Sequence, residues 1–126
     1  MFEYYAELKR IIDGDTVDLE VDLGFNVTVS ERFRLAYINT PEIRTKDNEE
    51  KRRGMEAKNA LTTMLAEARR IKIRTDKDRK GKFGRWIATI YVTDRLPGPD
   101  GEYGIHDWFE VNTALVSMGH AQYIDY

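Results

Sequence analysis

The chain contains no cysteine. That excludes disulfides, thiolate metal sites and a cysteine nucleophile, but leaves the compartment open, because secreted proteins can also lack cysteine. Histidine is nearly as scarce: His106 and His120 are the two present, at no metal-ligand spacing, and both read as surface or tail residues. No apolar run is long enough to span a bilayer, so no membrane partner is expected. Nor does either sign of charge dominate. With 20 Lys+Arg against 22 Asp+Glu the net charge is −2, which argues against nucleic-acid binding through a whole-surface basic field; any such contact must be local. The N-terminal Met-Phe-Glu-Tyr-Tyr-Ala-Glu puts acids where a secretory leader needs a basic and then an apolar region, so the expected location is the cytoplasm.

What is present suits an ordinary globular protein. The chain is 41% hydrophobic and 33% charged over 126 residues, enough for one domain, 1–126, to bury its own core. Residues 2–12 read as a strand before the turn signal Asp13-Gly14. Val17, Leu19, Val21 and Leu23 then alternate with Asp18, Glu20 and Asp22, as in a half-buried strand with an acidic outer face. A bend at Gly24 or Asn26 leads to a third strand through Phe33, Leu35 and Tyr37, stopped by Pro41. Residues 43–53 show no apolar period and read as a solvated loop or a weak first turn. Beyond them Ala57, Leu61, Met64, Leu65 and Ala68 fall at helical spacing. Ile71 and Ile73 mark a fourth strand and residues 86–92 a fifth, too apolar to lie at an edge. Residues 95–107 form an irregular excursion, Asn112 is placed to cap a short second helix ended by Gly119, and 123–126 make a tail. Five strands with a helix after the third give an α+β fold whose order fits a Greek-key barrel of the oligonucleotide-binding (OB) type.

Two short stretches could carry chemistry. Asp13 and Asp15 flank the turn glycine; Arg34, Asn39 and Glu42 surround the end of the third strand. If the intervening strands pair, these groups converge on one end of a sheet. A third stretch, residues 76–85, is the best local concentration of positive charge, including Lys80, Lys82 and Arg85 around Phe83. Each has a plainer reading: turn acids, a strand stop with Arg34 paired to Glu42, and a solvated hairpin loop.

Taken in order, Ile-Asp-Gly-Asp-Thr, Phe-Arg-Leu-x-x-Ile-Asn-Thr-Pro-Glu, Lys-Phe-Gly-Arg and Val-Asn-x-Ala-Leu-Val-x-x-Gly resemble the staphylococcal nuclease (thermonuclease) family, over nearly the whole chain from Ile11 to Ala121. The resemblance implies a calcium-dependent endonuclease that hydrolyses DNA, and RNA as a second substrate, with little sequence specificity. It implies Ca2+ held by Asp15, Asn39 and the Thr40 carbonyl, with Asp13 in the outer shell. Glu42 then orients or deprotonates the attacking water, and Arg34 and Arg85 grip the phosphate, their planar forks giving paired hydrogen bonds that lysine cannot copy. Phe83 stands where the family often has a base-contacting tyrosine and, with Lys80 and Lys82, is a candidate nucleic-acid contact. Single strands are the expected substrate and a monomer the expected state.

Two departures from the family pattern stand out. Asn39 replaces a ligand aspartate and removes one negative charge. The chain ends soon after the second helix, where the family has a third, so that helix is expected to be missing, with residues 95–109 a candidate replacement for its packing. Alternative readings are a catalytically weakened member acting as a nucleic-acid-binding or protein-interaction module, and a structural barrel whose acidic loop binds calcium. The persistence of Asp15, Arg34, Glu42 and Arg85 separates the nuclease reading from these, since a pure binder needs basic residues but not Glu42.

Overall fold

The hairpin centred on Gly14 sets the register of the barrel. In a computed structural model describing residues 2–80 and 85–125, with the backbone alone at 76–80, β1 (Phe2–Asp13) and β2 (Thr16–Asp22) pair antiparallel, Asp13 opposite Thr16. β3 (Thr28–Leu35) continues the meander, placing Arg34 opposite Thr16. The bend between them runs through left-handed backbone at Gly24, Phe25 and Asn26, with φ of 83°, 55° and 61°. Glycine and asparagine adopt that region readily; for Phe25 it is unusual. β5 (Arg70–Lys80) pairs antiparallel with β1, and β6 (Trp86–Thr93) with β5. The barrel closes where β6 also runs parallel to β3, Phe33 beside Trp86 and Leu35 beside Ala88. This is the expected five-stranded OB-like barrel, accompanied by two α-helices.

Alternation supplies the core. Val17, Leu19, Leu35, Ile73 and Ile90 point inward and are fully buried, joined by Leu61 and Leu65 from α1 (Asn48–Ala66). Burial of each such side chain contributes about 1.5–3 kcal/mol. None of the described helices is long and apolar enough to cross a membrane.

Four local expectations are corrected. The helix begins at Asn48, well before its apolar stripe: Asp47 caps it by accepting from the Glu49 and Glu50 amides, and Arg52 pairs with Glu49 and Glu56. Capping and i,i+3/i+4 pairing stabilise a first turn that has little apolar surface to bury. The third strand ends at Leu35, because the chain reverses through Tyr37 (φ 61°) before the short β4 (Ile38–Asn39). Asn112 is not a cap. Glu110, in β7 (Phe109–Glu110), caps α2 (Val111–Ser117) by accepting from the Thr113 amide. Asn112 is buried, accepting from the Ile90 amide (3.1 Å) and donating to the Ala36 and Ala88 carbonyls (3.1 and 3.3 Å). It therefore fastens α2 to β6 and to the turn after β3. Finally, the expected tail at 123–126 is tied down: Tyr123 joins Gln122 in β8 (Gln122–Tyr123), which pairs with β4, and the Ile124 amide donates to the Tyr37 carbonyl.

The excursion after β6 folds back over the outside of the barrel. Arg95 pairs with Asp107, Trp108 packs against Tyr5 and Tyr103, and the Lys72 ammonium lies 4.5 Å from the Trp108 ring centre.

Candidate active site

Asp15 is the hub of the acidic turn. Its amide donates to Asp13 Oδ1 (3.1 Å) and its carbonyl accepts from the Leu35 amide (2.9 Å), so the turn is pinned to the end of β3. Its carboxylate, almost entirely buried, takes two donors, the Thr16 hydroxyl on Oδ1 (3.1 Å) and the Thr40 amide on Oδ2 (3.1 Å), and forms an ion pair with Arg34, whose Nη1 lies 2.8 Å from Oδ2 without hydrogen-bond geometry. Arg34 Nη2 donates in turn to Asn39 Oδ1 at 3.1 Å. One guanidinium thus bridges the two motifs, and Arg34 pairs with Asp15 rather than with Glu42. Arg85 reaches the same cluster from the position just before β6, its Nη1 3.5 Å from the Thr16 hydroxyl.

The two turn acids titrate in opposite directions. Burial, reinforced by the hydrogen bond and charge of Asp15, raises the Asp13 carboxyl to about 6. Burial also pushes Asp15 up, but the bond with Asp13, the Arg34 charge and the Thr40 amide together outweigh it, holding Asp15 below the usual carboxylate range. Two adjacent carboxylates that cannot ionise equally divide in this way, with Asp15 the charged member.

Close packing on α1 brings the turns together. A Cβ at Gly14 would lie 2.8 Å from both Ala57 Cβ and Thr40 Oγ1, and one at Gly54 would lie 2.7 Å from the Pro41 carbonyl oxygen and 2.9 Å from that of Glu42. Only glycine lets the helix approach the 40–42 backbone so closely. Glu42 itself is exposed, and among the described residues it makes no side-chain hydrogen bond or ion pair. It lines a polar cleft of about 250 Å³ with Asn39, Thr40, Glu50, Arg53, His120 and Gln122. The uncommitted carboxylate is thus joined to the Arg34–Asp15 cluster by three residues of chain. Of the candidate nucleic-acid contacts, Lys80 has its backbone at the end of β5, while Lys82 and Phe83 lie outside the described residues.

The donor set suits a hard divalent cation in kind. Asp15 and Asn39 each present a side-chain oxygen to the Arg34 guanidinium, and oxygen donors favour Ca2+ or Mg2+. In charge the set is lean. Among the described residues no three of His, Cys, Asp and Glu are grouped to hold a metal ion. A cation here would rely on amide and backbone oxygens and would compete with Arg34 for the ones it needs.

Gly54, Thr16, Arg53 and His120 were not singled out from the sequence as site residues. A glycine inside a helix, where it costs about 1 kcal/mol relative to alanine, was a usable signal of close packing; the others gave none.

Fold and cluster together define an OB-like barrel that gathers acids and two arginines at the end of its first hairpin, a class suited to anionic backbones. The chain belongs to the family of staphylococcal nuclease homologues, whose model matches residues 32–126. It is 30% identical over 89 residues to the thermonuclease of Staphylococcus intermedius, covering 71% of this chain and 49% of that one. It is 32% identical over 123 residues to protein ParB of Escherichia coli, covering 94% of this chain and 56% of that protein. The chain therefore spans about half the length of the curated relatives it matches.

Proposed function

We propose that the protein is a calcium-dependent endonuclease that hydrolyses phosphodiester bonds of single-stranded DNA, and of RNA, with little sequence specificity. The observation that carries this reading is the joining of Asp15, Arg34, Asn39 and Arg85, which come from the first hairpin turn, β3, β4 and the residue before β6, around the Thr16 hydroxyl and the Arg34 guanidinium. A structural hairpin would not require two arginines there.

In this reading the arginines bind the two non-bridging oxygens of the scissile phosphate and stabilise the charge that builds on them, a role worth about 10²–10³ in rate for a single donor. Glu42, which makes no side-chain hydrogen bond or ion pair among the described residues, takes a proton from water as the water oxygen attacks phosphorus and the P–O bond opposite breaks; a positioned base contributes about 10²–10⁴. Asp15, Asn39 and the Thr40 carbonyl would hold calcium, with Asp13 acting through water, and the ion when bound supplies positive charge to the phosphate oxygens.

The test is a cleavage assay on single-stranded and duplex DNA with calcium, magnesium or excess chelator. Cleavage of single strands with calcium alone is the expected result, and cleavage that persists in chelator overturns the metal assignment.

Asn39 favours a second reading, a weakened member that binds nucleic acid without cutting it. Tight binding of single-stranded DNA with no cleavage at millimolar calcium would establish that reading instead.

A further inference from the structure

His120 and Arg53 line the polar cleft with Glu42, although neither belongs to the cluster around Asp15. Their positions follow from the fold. α2 stops at Ser117, Gly119 adopts φ 82°, and the His120 amide donates to the Leu115 carbonyl at 2.8 Å, a left-handed helix terminus that turns the chain back on itself. The reversed chain then pairs as β8 with β4, Gln122 opposite Asn39, so residues 119–122 form one wall. The loop at 39–42 forms another. Glu50 and Arg53, one turn apart on α1, form the third.

The chemistry of these walls is mixed. With two carboxylates and one guanidinium, the cleft is a poor site for a bare phosphate. It suits a nucleotide well: carboxylate and amide groups for sugar hydroxyls and base edges, an imidazole on which an unstacked base can lie, and an arginine for the neighbouring phosphate. Arg53 is available for this, since its nearest ion pair, with Glu49, is 4.0 Å long and more than half exposed. Asn39 connects the cleft to the arginines, because it lines the cleft while its Oδ1 accepts from Arg34.

We infer that this cleft is a subsite for the nucleotide flanking the scissile phosphate, with His120 stacking on its base and Arg53 binding its distal phosphate. The inference rests on the nuclease reading and adds a length requirement to it: a ligand must extend beyond the central phosphate to gain from His120 and Arg53.

The experiment compares two ligands. Binding of a labelled single-stranded DNA of about eight nucleotides is followed by fluorescence anisotropy in chelator, and binding of a mononucleotide 3′,5′-bisphosphate by calorimetry with calcium. The proteins are wild type, His120→Ala, Arg53→Gln, the double variant and Arg53→Lys, each with its melting temperature measured. The expected result is about tenfold weaker oligonucleotide binding in the double variant, unchanged bisphosphate binding, and partial recovery with Arg53→Lys. Unchanged oligonucleotide affinity in a wild type that binds and cleaves DNA overturns the subsite and leaves the nuclease reading standing. An equal loss for both ligands also overturns it, showing a disturbance passed through Asn39. A wild type that neither binds nor cuts any strand removes the nuclease reading itself, and the subsite with it.

Discussion

Arg34 Nη1 lies 2.8 Å from Asp15 Oδ2, with the side chains only 13% and 10% exposed, so the guanidinium that would grip a phosphate is also the counter-charge of a buried carboxylate. Removing it should therefore affect folding as well as the proposed activity.

Arg34→Met leaves Asp15 charged with its remaining hydroxyl and amide donors, and should destabilise the metal-free protein by about 2–3 kcal/mol at pH 7, below the cost of orphaning a fully buried charge. The sign with pH follows from the depressed Asp15 carboxyl. Its stabilisation is present above the unfolded value of about 3.9 and is lost as pH falls through the folded one. Urea unfolding should show the wild type and variant converging on acidification. A gap that stays constant down to acid pH would mean that Arg34 stabilises by packing alone.

Asp13 should give the opposite slope. Its carboxyl titrates at about 6 in the fold and near 3.9, approximately, when unfolded. Between those values the folded state holds the additional proton, so this group's stabilisation is complete below the unfolded value and lost as pH rises through the folded one. Asp13→Asn cannot ionise. In chelator it should remove that slope and, at pH 7, exceed the wild type by about 1 kcal/mol once solvent screening is allowed for. A variant less stable than wild type at pH 7 would place Asp13 among the groups that need their charge.

Asn39→Asp returns a negative charge beside Arg34 and should tighten calcium binding about tenfold if the gain is near 1.4 kcal/mol. Calorimetry with a nucleotide bisphosphate present measures this directly. Equal or weaker affinity would exclude position 39 from the ligands and confine the site to Asp13, Asp15 and Glu42.

Gly54→Ala should oppose its own helix propensity. Alanine favours the helix by about 1 kcal/mol, yet its methyl would meet the Pro41 and Glu42 carbonyl oxygens at 2.7 and 2.9 Å. Net destabilisation of about 1 kcal/mol, with cleavage reduced about tenfold through displacement of Glu42, is the expected outcome. A stabilised, fully active variant would show that the loop yields to α1 without cost.

Alternation of apolar residues with period two, the turn at Gly14 and the stripe through Ala57, Leu61 and Leu65 were enough to determine the barrel strands and the helix between them, since each is a local pattern with one buried face. The sequence also displayed the site's residue types, because acids at a turn and an arginine on the strand opposite are spaced by the hairpin register. Tertiary structure decided what those residues do to one another. Whether Arg34 meets Asp15 or Glu42 depends on where the 40–42 loop lands, and that is set by α1, which approaches the loop through its own Gly54 and the first turn through Gly14. Whether Asn112 caps or ties depends on how far α2 approaches β6, and whether His120 belongs to a tail or a cleft depends on a two-residue pairing between β8 and β4. These contacts join residues from 19 to 85 positions apart. Local propensity carries no record of such pairs, because their partners are chosen by packing once the barrel has closed.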